Sequence, residues 1–592
     1  MKSVWVTLKE LFAVLPKGAK PFYVWYSIVT GLLSLLDTVA LALIAIVITP
    51  MVNGDPITLP LLGELDPSAT PLVVVAICAL FVIKGVFAVL LHWFATRRFA
   101  RYELEVGGQL FEAYVNSSWE ERSRYSNSDV TRIVDGSMEL ANMQFILPLS
   151  QIPNNVVTFV GVLMVLIVAQ PLTALLTLIY LTVISLITLV FVTRRAGRAG
   201  YANRDYGYRA ATIISEMVDA LKELTLRDKL PEAGEAVSVS RKVATDARAN
   251  LSYYAIIPKY IFDAALIGGL LLIGGVSFAL GGEAAAVVSI SLFAATGFRM
   301  IPAMNGIQSS ITQAVAAEPY ARDVINELTR ADFIAHKEKP ADDIATLPDH
   351  PQQLTLKDIT YSYPGSESPV LRGIDLTIPF GSRVAIVGPS GAGKSTLVDV
   401  ILGLSIPSTG ELKIDNLPVT HVLQQWRAHI GYVPQKVAVF DGSVAQNVAL
   451  TWGDSYDEKR VIEALELAQL SNLASRGEGL QEKMGERGAA ISGGQQQRLG
   501  IARALYAEPL VMVLDEATSS LDTDTENKVT AAMNKLAGRV TFITIAHRLA
   551  TIRDYDIVCY LADGKVQSQG TFDEVVAEVP DFKRQAELAG LI

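Results

Sequence analysis

The sequence predicts a multi-domain chain: an all-α polytopic membrane domain with six transmembrane helices, followed by an α/β P-loop cassette. Three observations carry that prediction. Apolar stretches of about twenty residues, the length that spans a bilayer, occur near 24–49, 71–93, 152–170, 172–193, 255–280 and 284–305. Beyond residue 352 the apolar runs shorten to strand length and alternate with helical patterns, as in LTLKDITYSY and RVAIVGPSGAGKSTLVDVILGL, the rhythm of a βα domain. Between the two halves, 331–352 is charged and holds Pro340, Pro348 and Pro351, so it reads as a linker. The division is therefore 1–330, 331–352 and 353–592.

Composition narrows the function. Hydrophobic residues make up 51% of the 592 and mean hydropathy is +0.34, which excludes an ordinary soluble enzyme and a disordered chain. With 50 Lys+Arg against 60 Asp+Glu the net charge is −10, so no global field attracts nucleic acid. Cys78 and Cys559 are too few and too far apart for a disulfide framework, which fits a reducing compartment for the soluble part. The six histidines show no ligand spacing.

The N-terminal segment places Val4, Trp5, Leu8, Leu11, Phe12 and Leu15 at helical spacing, interrupted by Lys2, Lys9 and Lys17. It reads as a helix on the membrane surface. A cleavable signal peptide is the rival, but Lys9 and Glu10 break the apolar centre it needs. Orientation follows from the loops. Segments 51–70, 170–171 and 281–283 carry no Lys or Arg, whereas 94–151 holds Arg97, Arg98, Arg101, Arg122, Arg124 and Arg132, and 194–254 holds eleven basic residues. The positive-inside rule puts both long loops, both termini and the cassette in the cytoplasm. As helical hairpins those loops would reach roughly 40 Å beyond the bilayer, with short transverse helices expected around Asn116–Arg124 and Asn203–Glu216.

Gly388-Pro-Ser-Gly-Ala-Gly393-Lys394-Ser395 fits G-x-x-x-x-G-K-[ST] and lies between the strand Val384–Val387 and a helix starting near Lys394. Such a loop wraps phosphate oxygens in backbone N–H groups from Gly388, Ser390, Gly391, Gly393, Ser395 and Thr396. Lys394 would meet the β and γ phosphates, and the Ser395 hydroxyl would meet Mg²⁺. A second apolar strand, Leu510–Leu514, ends in Asp515-Glu516. At the C-terminal edge of an open sheet Asp515 can hold the Mg²⁺ shell and Glu516 can orient the water that attacks the γ-phosphate.

Ile491-Ser492-Gly493-Gly494-Gln495, followed by the helix QQQRLGIARALY, resembles the LSGGQ signature of the ATP-binding cassette family with Ile491 in place of Leu. The resemblance covers the whole chain: six spans and then one cassette, the half-transporter plan of ABC exporters. It implies that Ser492, Gly494 and Gln495 face the γ-phosphate of an ATP held by a second cassette. Tyr363 in TYSYPG looks like the aromatic that stacks on adenine, with Tyr361 as the neighbouring alternative. Gln435 in YVPQ looks like the glutamine that reaches Mg²⁺ and the water. Gly485-Glu486-Arg487-Gly488 resembles the segment that touches the cytoplasmic loops, Asp522 in SSLD the residue that crosses the dimer interface, and His547 in TIAHR the histidine on the γ-phosphate. With Glu516 and His547 both present, a homodimer would have two complete sites; pairing with a degenerate half is the alternative.

Charges inside the spans point to the cargo, because each costs several kcal/mol in lipid unless it faces a cavity or a partner. Lys84 lies roughly 20 Å, and Arg299 roughly 23 Å, from the outer start of its span, and Lys259 about 6 Å above the inner end of its own. In a dimer these would make six cations around one inward-facing cavity suited to a phosphate or pyrophosphate head, with Asp37 and Asp263 as counter-ions. Snorkelling to the cytoplasmic interface is the other reading, above all for Lys259. The expected function is ATP-driven export or flipping of an anionic, lipid-linked amphiphile, most like the flippases of lipid-linked oligosaccharides, with lipid and multidrug exporters close behind. An ATP-gated channel or regulator, or an importer on the same fold, is the alternative from another class.

Overall fold

The computed structural model describes residues 2–53, 57–59, 63–65, 70–123, 125–337, 343–366, 368–475, 477–485, 488, 491–517, 523–546 and 548–592. The chain forms two compact units. One comprises Met1–Ser117 with Arg124–Glu338, the other Ser118–Ser123 with Lys339–Ile592.

Among the described residues the first unit is mainly helical, with a small antiparallel hairpin, β1 (Ile57–Leu59) and β2 (Gly63–Leu65). The first four apolar stretches fall on α2 (Ala19–Asn53), α3 (Thr70–Asn116), α5 (Leu147–Ala169) and α6 (Pro171–Asp219). The last two fall on α8 (Leu230–Lys337), whose halves are joined at Gly282 in a non-helical conformation (φ 76°, ψ −166°). Among the described residues, Cys78–Asn116, Ser137–Ala169, Pro171–Asp219 and Leu230–Ala331 are long and apolar enough to cross a membrane. Helices α3 and α6 do not stop where their apolar stretches stop. From residue 193 to Asp219, α6 continues for about 40 Å at 1.5 Å per residue.

Three expectations change here. Residues 331–337, read as linker from their charge, are the final turns of α8. Asn203–Glu216, expected to hold a transverse helix, lies inside continuous α6, and the break comes later, at Ala220, before the short α7 (Leu221–Leu226). No Gly or Pro marks that break, so composition could not locate it. The surface helix α1 (Lys2–Val14) is amphipathic, but its apolar side is packed on protein: Val4, Leu11 and Leu15 are buried, Leu8 and Phe12 lie against the same cluster, and Trp5 alone of the six is exposed. Buried Glu318 of α8 fastens it, accepting from Ser3 Oγ (3.2 Å) and Thr7 Oγ1 (3.0 Å) while paired with Arg322 at 2.8 Å.

Beyond the apolar stretches α6 and α8 lie close enough that Gly200 packs on the Ala316 backbone. Polar bonds continue the contact: Asn203 Nδ2 donates to Tyr320 Oη (3.0 Å) and Tyr208 Oη to Asp323 Oδ2 (3.2 Å). Burial raises the Asp323 carboxyl above its ordinary value, against the pull of Arg204 at 3.7 Å.

The second unit pairs two sheets. An antiparallel sheet has the order β4-β3-β6-β7, from β3 (Gln353–Tyr361), β4 (Leu371–Pro379), β6 (Thr409–Ile414) and β7 (Leu417–Pro418). The larger sheet runs β12-β11-β5-β10-β9-β8. Its members are β5 (Arg383–Val387), β8 (Ile430–Val433), β9 (Val511–Asp515), β10 (Thr541–Ile545), β11 (Ile557–Ala562) and β12 (Lys565–Gly570). All neighbours are parallel except β11 and β12. Strands β5 and β9 are apolar without alternation because both faces are covered: Val384, Ile386, Val511 and Val513 join one core with residues of the antiparallel sheet, and Ala385, Val387, Met512 and Leu514 join cores on the other side. The unit also holds α4 (Trp119–Arg122), within the first window where a transverse helix was expected; Ser118 caps it, its Oγ accepting from Glu121 N.

The α6–α8 contact yields a paired prediction. A Cβ at Gly200 would lie 2.1 Å from the Ala316 carbonyl oxygen, whereas one at Gly207 meets nothing within 4 Å. Gly200→Ala is expected to destabilise the protein by about 1–3 kcal/mol. Gly207→Ala should be neutral or gain up to about 1 kcal/mol from helix propensity. Thermal unfolding in detergent separates them, and equal midpoints would contradict the close approach.

Candidate functional site

The P-loop is built from backbone constraints. It leaves β5 at Gly388 and enters α9 (Lys394–Ile401) through Gly393. Gly388 (φ 146°), Gly391 (φ 80°) and Gly393 (φ 98°) adopt conformations that side chains disfavour, and a Cβ at Gly388 would sit 1.9 Å from the Leu561 carbonyl oxygen. Lys394 is buried, with Nζ donating to Gly388 O and Pro389 O at 2.9 Å each. Burial lowers its pKa, while the charges of Glu516 and Asp515 pull it back up. Ser390 and Ser395 are exposed, and Thr396 is buried.

Parallel pairing brings the other groups to the same edge. In register, Ile545 of β10 lies beside Asp515 of β9 and Ile386 of β5, and Val433 of β8 beside Leu514. Residues just past those strand ends therefore emerge together. Gln435 Nε2 donates to Glu516 Oε2 at 2.9 Å. Glu516 holds φ 51°, a left-handed conformation costing about 1–2 kcal/mol for an L-residue, of the kind that clusters at working sites.

The two aromatic candidates differ in burial. Tyr361 is buried, its Oη donating to Glu120 Oε1 at 2.9 Å. Tyr363 is 42% exposed, stands edge-on to Tyr361 and shares a 3.0 Å hydrogen bond with Thr396 Oγ1 on α9. Tyr363 is thus the more exposed ring of the two.

A family model described as ABC transporter matches residues 371–519. Along most of its length the chain is similar to an ATP-dependent lipid A-core flippase of Chromobacterium violaceum, 28% identical over 559 residues, 91% of each chain. It is 37% identical over 305 residues, 51% of this chain and 49% of the other, to the β-(1→2)glucan export ATP-binding/permease protein NdvA of Bradyrhizobium diazoefficiens. Among solved structures, a bacterial Atm1-family ABC exporter with ATP bound matches with a TM-score of 0.74 at 22% identity, over 96% of this chain and 99% of that chain. The chain is an exporter-type ABC half-transporter. It is an integral membrane protein whose cassette binds and hydrolyses ATP to drive export.

In this half-transporter the signature opens α10 (Gly493–Tyr506), with Ser492 at the N-cap. Ser492 and Gln495 bond to each other in a capping box, and Gly494 O accepts from Arg498 Nε. Among the described residues none of the three is bonded to the P-loop. Ile491, the departure from Leu, is buried in the core, so the change alters packing only. Asp522 and His547 lie outside the described residues, as do Glu486 and Arg487 between Gly485 and Gly488.

Of the basic residues in the spans, Lys84 lines a polar pocket with Tyr26, His92, Gln151 and Asn154. Lys259 is exposed and Arg299 half-buried, and neither lines that pocket. Asp263 is exposed, and the Asp37 side chain lies outside what is described.

Sequence reasoning missed two groups beside the catalytic edge. Asp399, on α9 five residues after Lys394, is pushed up to about 6 by burial and by the charges of Glu120 and Asp515. Tyr432, on β8, is pushed up to about 12 by burial and then by Asp515 and Asp399. Asp399 was legible as the position one turn after Ser395; Tyr432 left no signal beyond its strand.

Two outcomes follow. Glu516→Gln should cut ATP turnover by about 10²-fold or more while a fluorescent ATP analogue still binds, and near-normal turnover would remove Glu516 from its role. Asp399 holds its proton more tightly folded than unfolded, so its charge destabilises the fold, and this cost grows as pH rises through about 4 to 6. Asp399→Asn should raise the thermal midpoint at pH 7.5, with the gain shrinking as pH falls below 6. Parallel pH profiles would show that Asp399 is not perturbed.

Proposed function

We propose that the protein flips or exports an anionic, lipid-linked amphiphile, such as a lipid-linked oligosaccharide, across the cytoplasmic membrane as a homodimer, by alternating access. The observation that carries the substrate class is Lys84, a cation within an apolar span set among polar side chains, joined to a complete P-loop and catalytic edge. The relative that aligns along 91% of the chain is named a lipid A-core flippase, a second is named a glucan exporter, and both names describe cargo that is large and polar or anionic. Both termini and the cassette lie in the cytoplasm in this reading, as the charged loops require.

ATP binds with its adenine on Tyr363 and its phosphates in the 388–396 loop, where Lys394 exchanges its carbonyl partners for β and γ oxygens. Ser395, Gln435 and Asp515 supply the oxygen donors a hard cation prefers. Burial first, and then neighbouring carboxylates that include Asp515, push Asp399 and Tyr432 upward; the oxygen donors of this edge fit Mg²⁺, which would neutralise phosphate charge. Glu516, steadied by Gln435, orients the attacking water. Ser492, Gly494 and Gln495 of the second copy close over the γ-phosphate, with Asp522 at the interface and His547 on that phosphate. Closure travels through the cytoplasmic helices and turns the cavity outward, and hydrolysis reopens the dimer.

The deciding experiment is ATP-dependent flipping of a labelled polyprenyl-pyrophosphate oligosaccharide in proteoliposomes, with wild type compared with Glu516→Gln and Arg299→Ala. Wild type should flip the lipid, Glu516→Gln should not, and Arg299→Ala should move less lipid per ATP. A wild type that hydrolyses ATP and leaves the lipid in place would sink the anionic-lipid reading and direct attention to drug-like amphiphiles.

A further inference from the structure

Tyr363 lies just beyond β3, between the last residue of that strand and the turn at Pro364 and Gly365. A ring that has to be ordered when its ligand arrives binds more weakly than one already held in place. Two contacts hold this one. Its Oη shares the 3.0 Å hydrogen bond with Thr396 Oγ1, and the Tyr361 ring stands edge-on to it, with centroids 5.2 Å apart and planes at 85°. Aromatic pairs prefer that edge-to-face geometry, and it leaves 42% of Tyr363 exposed for a base to reach.

Tyr361 is fixed in its turn from far away in the sequence. It ends β3, pairs there with Leu371 of β4, and is only 3% exposed. A hydroxyl so placed needs a hydrogen-bond partner. Glu120 of α4, a member of the same compact unit, supplies one: its Oε1 accepts from Tyr361 Oη at 2.9 Å across 241 residues of chain. Burial above all pushes the Tyr361 hydroxyl up to about 12, with Glu120 adding to the rise and Ser405 opposing it, so Tyr361 keeps its proton and donates at neutral pH. A carboxylate acceptor makes the bond charge-assisted and stronger than a neutral one. The carboxylate is presented by a short capped helix, in which Ser118 Oγ accepts from Glu121 N and Ser123 Oγ donates to Glu120 O at 2.9 Å.

We infer that Glu120 is a positioning residue for nucleotide binding: its bond to Tyr361 sets the Tyr361 ring, and thereby the Tyr363 ring on which adenine stacks. The inference rests on the reading of Tyr363 as the partner of adenine. It adds that the hold on the base depends on a side chain outside the continuous cassette sequence. The path from Glu120 ends on the base, whereas the phosphates are bound by the backbone of the P-loop. Loss of Glu120 therefore weakens the contribution of adenine and spares that of the phosphates.

The test is steady-state ATP hydrolysis by the full-length protein in phosphatidylcholine nanodiscs, with inorganic tripolyphosphate as a competitive inhibitor that has the phosphates and lacks the base. Glu120→Ala should raise KM for ATP about fivefold or more, with kcat within about twofold of wild type and the tripolyphosphate inhibition constant unchanged. Tyr361→Phe should do the same, and the double variant should be no worse than either single one, because both changes break one path. Glu120→Gln removes the charge that acts on Asp399 but keeps an amide oxygen as acceptor, so KM should return to within about twofold of wild type, a rescue that a general loss of structure does not allow. Unchanged KM in Glu120→Ala, a tripolyphosphate constant that rises with it, or a Glu120→Gln that fails to rescue overturns the proposal. Tyr363→Ala separates this inference from the reading beneath it. A raised KM in Tyr363→Ala with none in Glu120→Ala keeps the adenine reading and removes Glu120 from it, whereas an unchanged KM in Tyr363→Ala removes both.

Discussion

Parallel register is the constraint on which the catalytic machinery depends. Four strands, β5, β10, β9 and β8, run side by side in one direction, so the chain leaves each of them at the same edge. Gly388, Glu516 and Gln435 come from segments up to 128 residues apart in sequence, yet each lies within two residues of a strand end. The 2.9 Å bond between Gln435 and Glu516 is a product of that register. A slip of one residue in β9 would turn Asp515 to the other face of the sheet. The cost of the arrangement is electrostatic. Burial, reinforced by carboxylates gathered at one edge, keeps a proton on Asp399 to higher pH and hardens the Tyr432 hydroxyl against ionisation, while Lys394 is held among them.

In the helical unit the governing constraint is where polar atoms can go. Along the apolar stretches polar residues bond to their own helix, as Thr177, Thr188 and Thr296 do, to a neighbouring helix, as Tyr180 Oη does in donating to the Ala265 carbonyl, or share a cavity. Past those stretches the rule relaxes, and α6 and α8 are held together by polar bonds around Tyr208, Tyr320 and Asp323 and by backbone contact at Gly200. Backbone contact and polar bonds together hold the long pair side by side over this stretch.

How much of this was legible depends on whether a residue's role is set locally. The P-loop, the strand ending in Asp515-Glu516 and the signature turn were readable because backbone geometry fixes their spacing, and the short segment 281–283 between the last two apolar stretches contains the break at Gly282. The amphipathic α1 was readable as a helix, but its partner was not: the sequence cannot tell lipid from the side of α8, and Glu318 lies more than 300 residues away. The break at Ala220 escaped because neither Gly nor Pro marks it. Lys84 stood out as a charge in an apolar run, whereas Gln151 and Asn154 flank a proline and looked like a span's beginning. Tyr361 and Tyr363 were indistinguishable until burial separated them.

The six residues Ser118–Ser123 belong to the cassette unit although the chain visits them more than 200 residues before the rest of it. A cassette expressed by itself from residue 339 onward would therefore be missing a piece of its own surface. Tyr361 would lose Glu120 as its acceptor, and Asp399 would lose the neighbour that, after burial, does most to keep it protonated. ATP turnover by such a fragment would describe an amputated enzyme, with a different charge balance beside the P-loop from that of the whole chain. The domain boundary written along the sequence and the boundary drawn in space are two different cuts.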